Sequence, residues 1–205
     1  MEHSPVGPPF VLALGSASPR RRDLLAMLGI PFVVQPAEAD EAWSPGELPL
    51  AYIARITMAK LDAVRRKDLG TAQGVLVADT IVVAPGGELL GKPRDDDDAV
   101  RMLEGLAGAT HQVSTRFVLA PRERDSEPAH AQTVTTRVTF RPLSRGEIRD
   151  YVAGGEGRDK AGAYAVQGRA AAFVERIDGS FTGVVGLPVC ELVVALRALG
   201  WLVAP

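Results

Sequence analysis

The sequence predicts an α/β fold, a mixed β-sheet flanked by helices and divided into two lobes. Three observations point there. In the first third, short apolar runs such as FVLAL (Phe10–Leu14) and PFVV (Pro31–Val34) alternate with segments of helical periodicity. In the middle, HQVSTRFVLA (His111–Ala120) and QTVTTRVTF (Gln132–Phe140) alternate apolar and polar residues across a polar loop, PRERDSEPAHA, as paired antiparallel strands do. No internal repeat or low-complexity linker divides residues 10–205, which read as one domain behind a disordered leader at residues 1–9.

The elements follow in order. FVLALGS is a buried strand ended by small residues. SPRRRDLLAMLGI is a helix with Ser18 as N-cap, Pro19 at the first helical position and Gly29 closing it. PFVVQ is a second short strand, followed by the acidic loop AEADE. Leu50, Ile53, Ile56, Leu61 and Val64 recur at helical spacing between Pro49 and Lys67, and the basic Arg65–Lys67 suits a helix C-terminus. VLVA (Val75–Ala78) and TIVV (Thr80–Val83) are two β-type runs interrupted by Asp79, and Pro85–Gly87 marks a turn. RDDDDAVRMLEGLAG is a helix whose acidic first turn the macrodipole favours, so Asp95–Asp98 read as a helix start in water. Ser144 and Glu147 form a capping box for SRGEIRDYVAG. AFVERIDGSF is a strand and turn, and GLPVCELVVALRALG is an apolar C-terminal helix that takes Cys190 into the core.

Composition excludes several classes of function. The formal net charge is −2, which argues against a nucleic-acid coat or a polybasic membrane binder. No stretch approaches the roughly 18 apolar residues that span a bilayer. A single cysteine cannot form an internal disulfide, and MEHSPVGPPF lacks the regions of a signal peptide, so a cytoplasmic setting is expected.

A few charges sit where a core or a helix start would not place them. Asp79 lies within VLVADTIVV, and an unpaired buried carboxylate is costly. Either Asp79 and Thr80 face water in a turn between two short strands, or the carboxylate stands at a strand end to hold a divalent metal or activate water. Arg20, Arg21 and Arg22 crowd a helix N-terminus, where the macrodipole disfavours cations. They form a solvated face, or the first two grip a phosphate with the help of Ser16 and Ser18 while Arg22 rotates away. Glu38, Asp40 and Glu41 offer carboxylates that a hard cation such as Mg²⁺ would accept. Lys60 is a further candidate charge. Lys92, between Gly91 and Pro93, is a surface lysine or a phosphate contact. Gln167, in the small-residue stretch DKAGAYAVQG, has the donor and acceptor that suit the edge of a base, unless that stretch is purely structural. His111 and His130, in strand and loop contexts, share no site.

Taken together, GSASPRRRDLL, ADE, VADTIVV, GELLGKPRD, DKAGAYAVQG and GSFTGVVGLP resemble the Maf family of septum-formation inhibitors, in order from about Val11 to Leu199. The resemblance implies an elongated fold with a central cleft, similar to that of inosine-triphosphate pyrophosphatase. It also implies a nucleoside triphosphate pyrophosphatase that cuts between the α- and β-phosphates with the aid of Mg²⁺ or Mn²⁺. Asp79 then matches the proton acceptor, and Arg20, Thr80 and Gln167 match positions linked to substrate choice. Ser16, Arg21, Glu41, Lys60 and Lys92 match the remaining phosphate and metal positions, with Glu41 and Asp79 on the metal. ADT together with DKAGAYAVQG looks like the branch acting on dTTP and UTP rather than on 7-methyl-GTP, and modified pyrimidine nucleotides are a further substrate class. The implied partner is a nucleotide, not a nucleic-acid polymer or a membrane, and homodimers are common in the family. The family's name also implies a rival role, a nucleotide-binding regulator of septum formation with little turnover. The chain departs from the family in its leader, in Gly15 where Ala is usual, and at Gly155–Arg158, where an acidic-proline turn is usual.

Overall fold

The computed structural model describes residues 10–36, 38–44 and 46–202; the expected disordered leader lies outside them. Its centre is a mixed seven-stranded sheet. Strands β1 (Leu12–Leu14) and β2 (Phe32–Val34) flank helix α1 (Pro19–Met27) in sequence. After helix α2 (Pro49–Arg65) come the long β3 (Gly74–Val83) and the two-residue β4 (Leu89–Leu90). Helix α3 (Asp96–Leu106) leads to β5 (Thr110–Pro121) and β6 (His130–Phe140), and α4 (Arg145–Ala153) to β7 (Val174–Asp178). Helices α5 (Phe181–Val185) and α6 (Val189–Ala198) close the order. The strands lie as β2-β1-β3-β5-β6-β7, with β4 paired to β3 off that path. β1 runs parallel to β2 and β3, and the other pairings are antiparallel.

Three cores explain the two lobes. At one end of the sheet, successive residues of β3 point to opposite faces. Leu76 and Ala78 join a core with Leu25 of α1 and Leu192 and Leu196 of α6. Val75 and Val77 join another with Leu61 and Val64 of α2. At the other end, Val82, Val113 and Val138 pack with Leu103 of α3, Ile148 and Tyr151 of α4, and Tyr164. Strands β3 and β5 run through both regions, and Asp79 lies between them on β3.

The structure corrects several expectations. β3 is a single strand, in unbroken register with β5 from Gly74↔Pro121 to Val83↔Gln112. Asp79 is therefore in mid-strand, in neither a turn nor a strand end. Cys190 is exposed, because α6 buries only the stripe of Leu192, Ala195 and Leu196. Ser18 stands at the N-cap of α1 but makes no side-chain capping bond. His130 is the first residue of β6 rather than a loop residue, paired with Leu119 and far along the ladder from His111, which pairs with Val138. The 3₁₀ turns at Ala161–Ala163 and Arg169–Phe173, together with β4 and α5, add to the predicted elements.

Asp98 also departs from the reading of an acidic turn in water. Asp95 caps α3 by accepting from the Asp98 amide at 2.7 Å. The Asp98 side chain is buried and accepts from the Arg94 backbone and guanidinium and from Arg101. The Arg94 guanidinium bond, then the Arg94 amide and Arg101, hold its carboxyl down at about 2, against an ordinary 3.8. A depressed carboxylate contributes stability that is full above its unfolded pKa and lost as pH falls through the folded one. Asp98→Asn is therefore expected to lower the urea midpoint at neutral pH, with the difference from wild type vanishing near pH 2. Denaturation curves of both proteins across that range check it.

Candidate active site

The site exists because β1 is short. Its last pair with β3 is Leu14↔Leu76, extended one step by the Gly15 amide on the Leu76 carbonyl at 2.8 Å. β4 pairs on that side only with Val82 and Val83. Among the described residues the edge of β3 from Ala78 to Ile81 thus has no strand beside it, and a cleft of about 1070 Å³ opens there. Adjacent side chains that leave a strand on opposite faces can both reach such an edge. Asp79 and Thr80 both line the cleft, along with Ser16, Arg20, Arg21, Glu41, Lys60, Lys92 and Gln167.

Asp79 is set among donors. Its Oδ2 accepts from Lys60 Nζ at 2.9 Å, its Oδ1 from the Thr80 amide at 2.9 Å, and Arg21 Nη2 stands 3.9 Å from Oδ1. Lys60 also contacts Glu41 Oε1 at 2.8 Å, so one ammonium bridges two carboxylates. Lys60 projects from α2, whose Leu61 and Val64 seat the helix on β3. The Glu41 loop is tied to the same helix, Tyr52 donating to the Glu41 carbonyl at 2.9 Å and Arg55 to the Ala42 carbonyl at 2.9 Å.

Helical geometry separates the three arginines. Arg21 and Leu25, four residues apart, face inward, while Arg22 is exposed. Arg21 uses its whole fork: Nε donates to the Gly186 carbonyl at 2.8 Å, Nη1 to Ser16 Oγ at 3.0 Å and Nη2 to Thr80 Oγ1 at 3.2 Å. Thr80 is held in turn by Thr115 at 2.8 Å. Burial pulls the Arg21 guanidinium below its ordinary pKa, and Asp79 opposes that pull. Arg20 is the freer cation, with one polar contact among the described residues, Nη1 to Asp159 Oδ2 at 3.5 Å across the cleft.

Gly15 has a packing reason. A Cβ built there would lie 2.4 Å from Val64 Cγ2 and 2.7 Å from Val77 Cγ1, so the two valines occupy the space an alanine would need. Gly157 likewise stands where a Cβ would meet the Ala163 carbonyl oxygen at 2.0 Å, so the Gly155–Arg158 segment packs directly beneath the cleft wall.

Lys92 is exposed on the opposite wall, beside a loop that the Gly162 amide ties to the Gly91 carbonyl at 3.1 Å. Gln167 is exposed on that wall too. The lining there is otherwise largely apolar, with Val82, Val113, Tyr164, Val166 and Val184 belonging to the far core or packed on it. The cleft therefore has a charged side and an apolar side. Glu38 lines it, whereas Asp40 turns back to accept from the Ala42 amide at 2.9 Å. Asp95–Asp98 are not part of the lining. Tyr52, Asp159 and Lys160 are additions to the predicted set. Asp159 and Lys160 open the same DKAGAYAVQG stretch that carries Gln167, whereas Tyr52 sits in a helix with no motif around it. No cluster of three metal-ligating side chains occurs among the described residues. Glu41 and Asp79, the two carboxylates that Lys60 bridges, are hard oxygen donors of the kind a divalent cation takes.

The chain belongs to the Maf family: the model of that family, described as Maf-like protein, matches residues 11–199. A protein of Geobacter sp. (strain M21), named dTTP/UTP pyrophosphatase, is 49% identical over 189 residues, 92% of this chain and 95% of its own length. A protein of the same name from Geobacter sulfurreducens is 49% identical over 189 residues, covering 92% and 96%. Another from Cupriavidus metallidurans is 44% identical over 198 residues, covering 93% and 97%.

The unequal commitment of the two inner arginines has a measurable consequence. Arg21→Ala is expected to cost about 2 kcal/mol or more, since it leaves buried acceptors unpaired beside Asp79. Arg20→Ala is expected to cost under about 0.5 kcal/mol, because it loses one long, exposed ion pair. Chemical denaturation of the two variants distinguishes them.

Proposed function

We propose that the chain is a nucleoside triphosphate pyrophosphatase that hydrolyses dTTP and UTP, and modified pyrimidine nucleotides of like shape, to the monophosphate and pyrophosphate. The observation that carries the reading is Asp79: a carboxylate fixed by Lys60, the Thr80 amide and Arg21, opening on a cleft with Arg20 and Lys60 on one side and, on the other, a largely apolar wall that also carries Lys92 and Gln167. The names of the relatives support the same substrate class.

In this reading Asp79 accepts the proton of a water whose oxygen bonds to the α-phosphorus. The bond from that phosphorus to the α–β bridging oxygen breaks, and pyrophosphate leaves. Lys60, Arg20 and Lys92 offset charge on the departing group, where preformed cations are most effective. Arg21 holds Ser16 and Thr80 in place rather than swinging onto substrate. Glu41 and Asp79 would hold Mg²⁺ or Mn²⁺, and the cation, when bound, neutralises phosphate charge. Gln167 meets the base edge with its amide, and Arg20 and Thr80 share in substrate choice.

A cytoplasmic setting fits the lone exposed Cys190, and among the described residues no helix is long and apolar enough to cross a membrane. Homodimers belong to the same reading, and light scattering on a sizing column tests them.

Purified protein with Mg²⁺ or Mn²⁺ is expected to convert UTP and dTTP to monophosphate and pyrophosphate, and chelation is expected to stop it. Asp79→Asn should lower kcat about 10³-fold. Chromatography of the products across a panel of triphosphates reads the outcome. Release of diphosphate and orthophosphate, or no turnover on any member, overturns the proposal.

A further inference from the structure

Behind the apolar wall stands a polar pair that this mechanism does not use. His111 of β5 is 1% exposed and is not among the cleft-lining residues. Its Nε2 lies 2.8 Å from Tyr164 Oη, and its ring meets those of Phe140 and Tyr164 edge-on at 5.0 and 5.5 Å. Its Nδ1 has no hydrogen-bond partner among the described residues. Burial lowers the imidazole pKa to about 4, so the ring is neutral near neutral pH. A half-satisfied imidazole in a core is a poor choice for packing alone, since a phenyl ring would fill the space without an orphaned nitrogen. What the imidazole adds is its bond to Tyr164.

That bond acts on a strained segment. Gly162 and Ala163 turn with φ of +71° and +61°, and Ala163 is the one residue other than glycine with positive φ among the described residues. Such a conformation persists only where the surroundings over-determine it. Three ties do so: the Gly162 amide to the Gly91 carbonyl, Tyr164 to His111, and the Ala165 amide to Tyr151 Oη at 3.0 Å. Of these, only the His111 bond is anchored within a strand of the sheet, β5, whose Thr115 also holds Thr80. The segment then runs on to Gln167 at the cleft.

We infer that His111 is a positioning residue for nucleobase selection: through Tyr164 it sets the Ala161–Gln167 wall, and with it Gln167, against the base. The inference rests on the proposed pyrophosphatase reading, in which the base lies on that wall. Phosphate contacts come from other elements, so the effect falls on KM and on discrimination rather than on the chemical step.

The test uses His111→Phe, Tyr164→Phe and the double variant, with kcat and KM measured for UTP and for GTP. Each single variant is expected to lower the UTP-over-GTP ratio of kcat/KM about tenfold, chiefly by raising KM for UTP. The double variant should be no worse than either single one, because both remove the same bond. Tyr164→Phe keeps the ring and decides the matter if His111→Phe does not fold. An unchanged ratio, or an equal fall for both nucleotides, overturns the inference while leaving the pyrophosphatase reading intact. Wild-type protein that releases no pyrophosphate from any triphosphate overturns that reading, and the inference with it.

Discussion

The carboxylate of Asp79 is the constraint around which the rest of the cleft is arranged. It stands in a strand whose residues before it are fully buried on both faces. A charge at such a position is tolerated only with close partners and some access to water. The early end of β1 supplies the access, and Lys60, the Thr80 amide and Arg21 supply the partners. Each partner depends on a core. Lys60 is delivered by α2, which is seated through Leu61 and Val64, and Arg21 by α1, which is seated through Leu25. The two faces of β3 thus carry the two helices that bring cations to its edge. The geometry of the site is a consequence of how the sheet is sandwiched.

Within that frame the cations divide their work. Arg21 is buried, bonded through each of its three guanidinium nitrogens and unable to move without stranding its acceptors. Arg20, one residue earlier, meets a largely exposed Asp159 at 3.5 Å, a contact that an incoming phosphate could replace at little cost. A site that must stabilise developing charge needs some donors fixed in advance, so that reorganisation is small when the charge appears. It also needs some that reach out to the ligand. One turn of α1 supplies both kinds, because adjacent residues on a helix face directions about 100° apart.

Much of this was legible in the sequence, and the exceptions share a cause. Apolar periodicity located the main strands and the longer helices, and the odd chemistry of Asp79 inside VLVADTIVV and of three arginines at a helix start marked the site. The continuity of β3 was not legible, because a local reading treats a charge between two apolar runs as a break. Only the absence of a neighbouring strand makes that charge compatible with an unbroken ladder. Cys190 was placed in the core because its whole neighbourhood is apolar, yet α6 buries a single stripe and leaves Val194 exposed as well. Asp98 looked like its three acidic neighbours until Arg94 and Arg101 closed over it. The turn at Ala161–Ala163 and the setting of His111 rest on tertiary contacts such as that of His111 with Tyr164, 53 residues apart in sequence, which no periodicity encodes.

Gly15 and Gly157 show how such contacts set the shape of the cleft without touching its charged groups. Gly15 lies between the end of β1 and the serine that holds Arg21. A side chain there would collide with Val64 of α2 and Val77 of β3. Val64 is four residues from Lys60, on the same helix and one turn away. The closeness of β1 to α2 at this point therefore bears on how far Lys60 stands from the edge of β3. Gly157 does the same on the opposite wall, where the missing Cβ lets the Gly155–Arg158 segment support the Ala163 carbonyl. On both walls a glycine leaves out a side chain so that two elements can approach. The packing at both glycines thus bears on the geometry around Asp79 through neighbours rather than through direct contact.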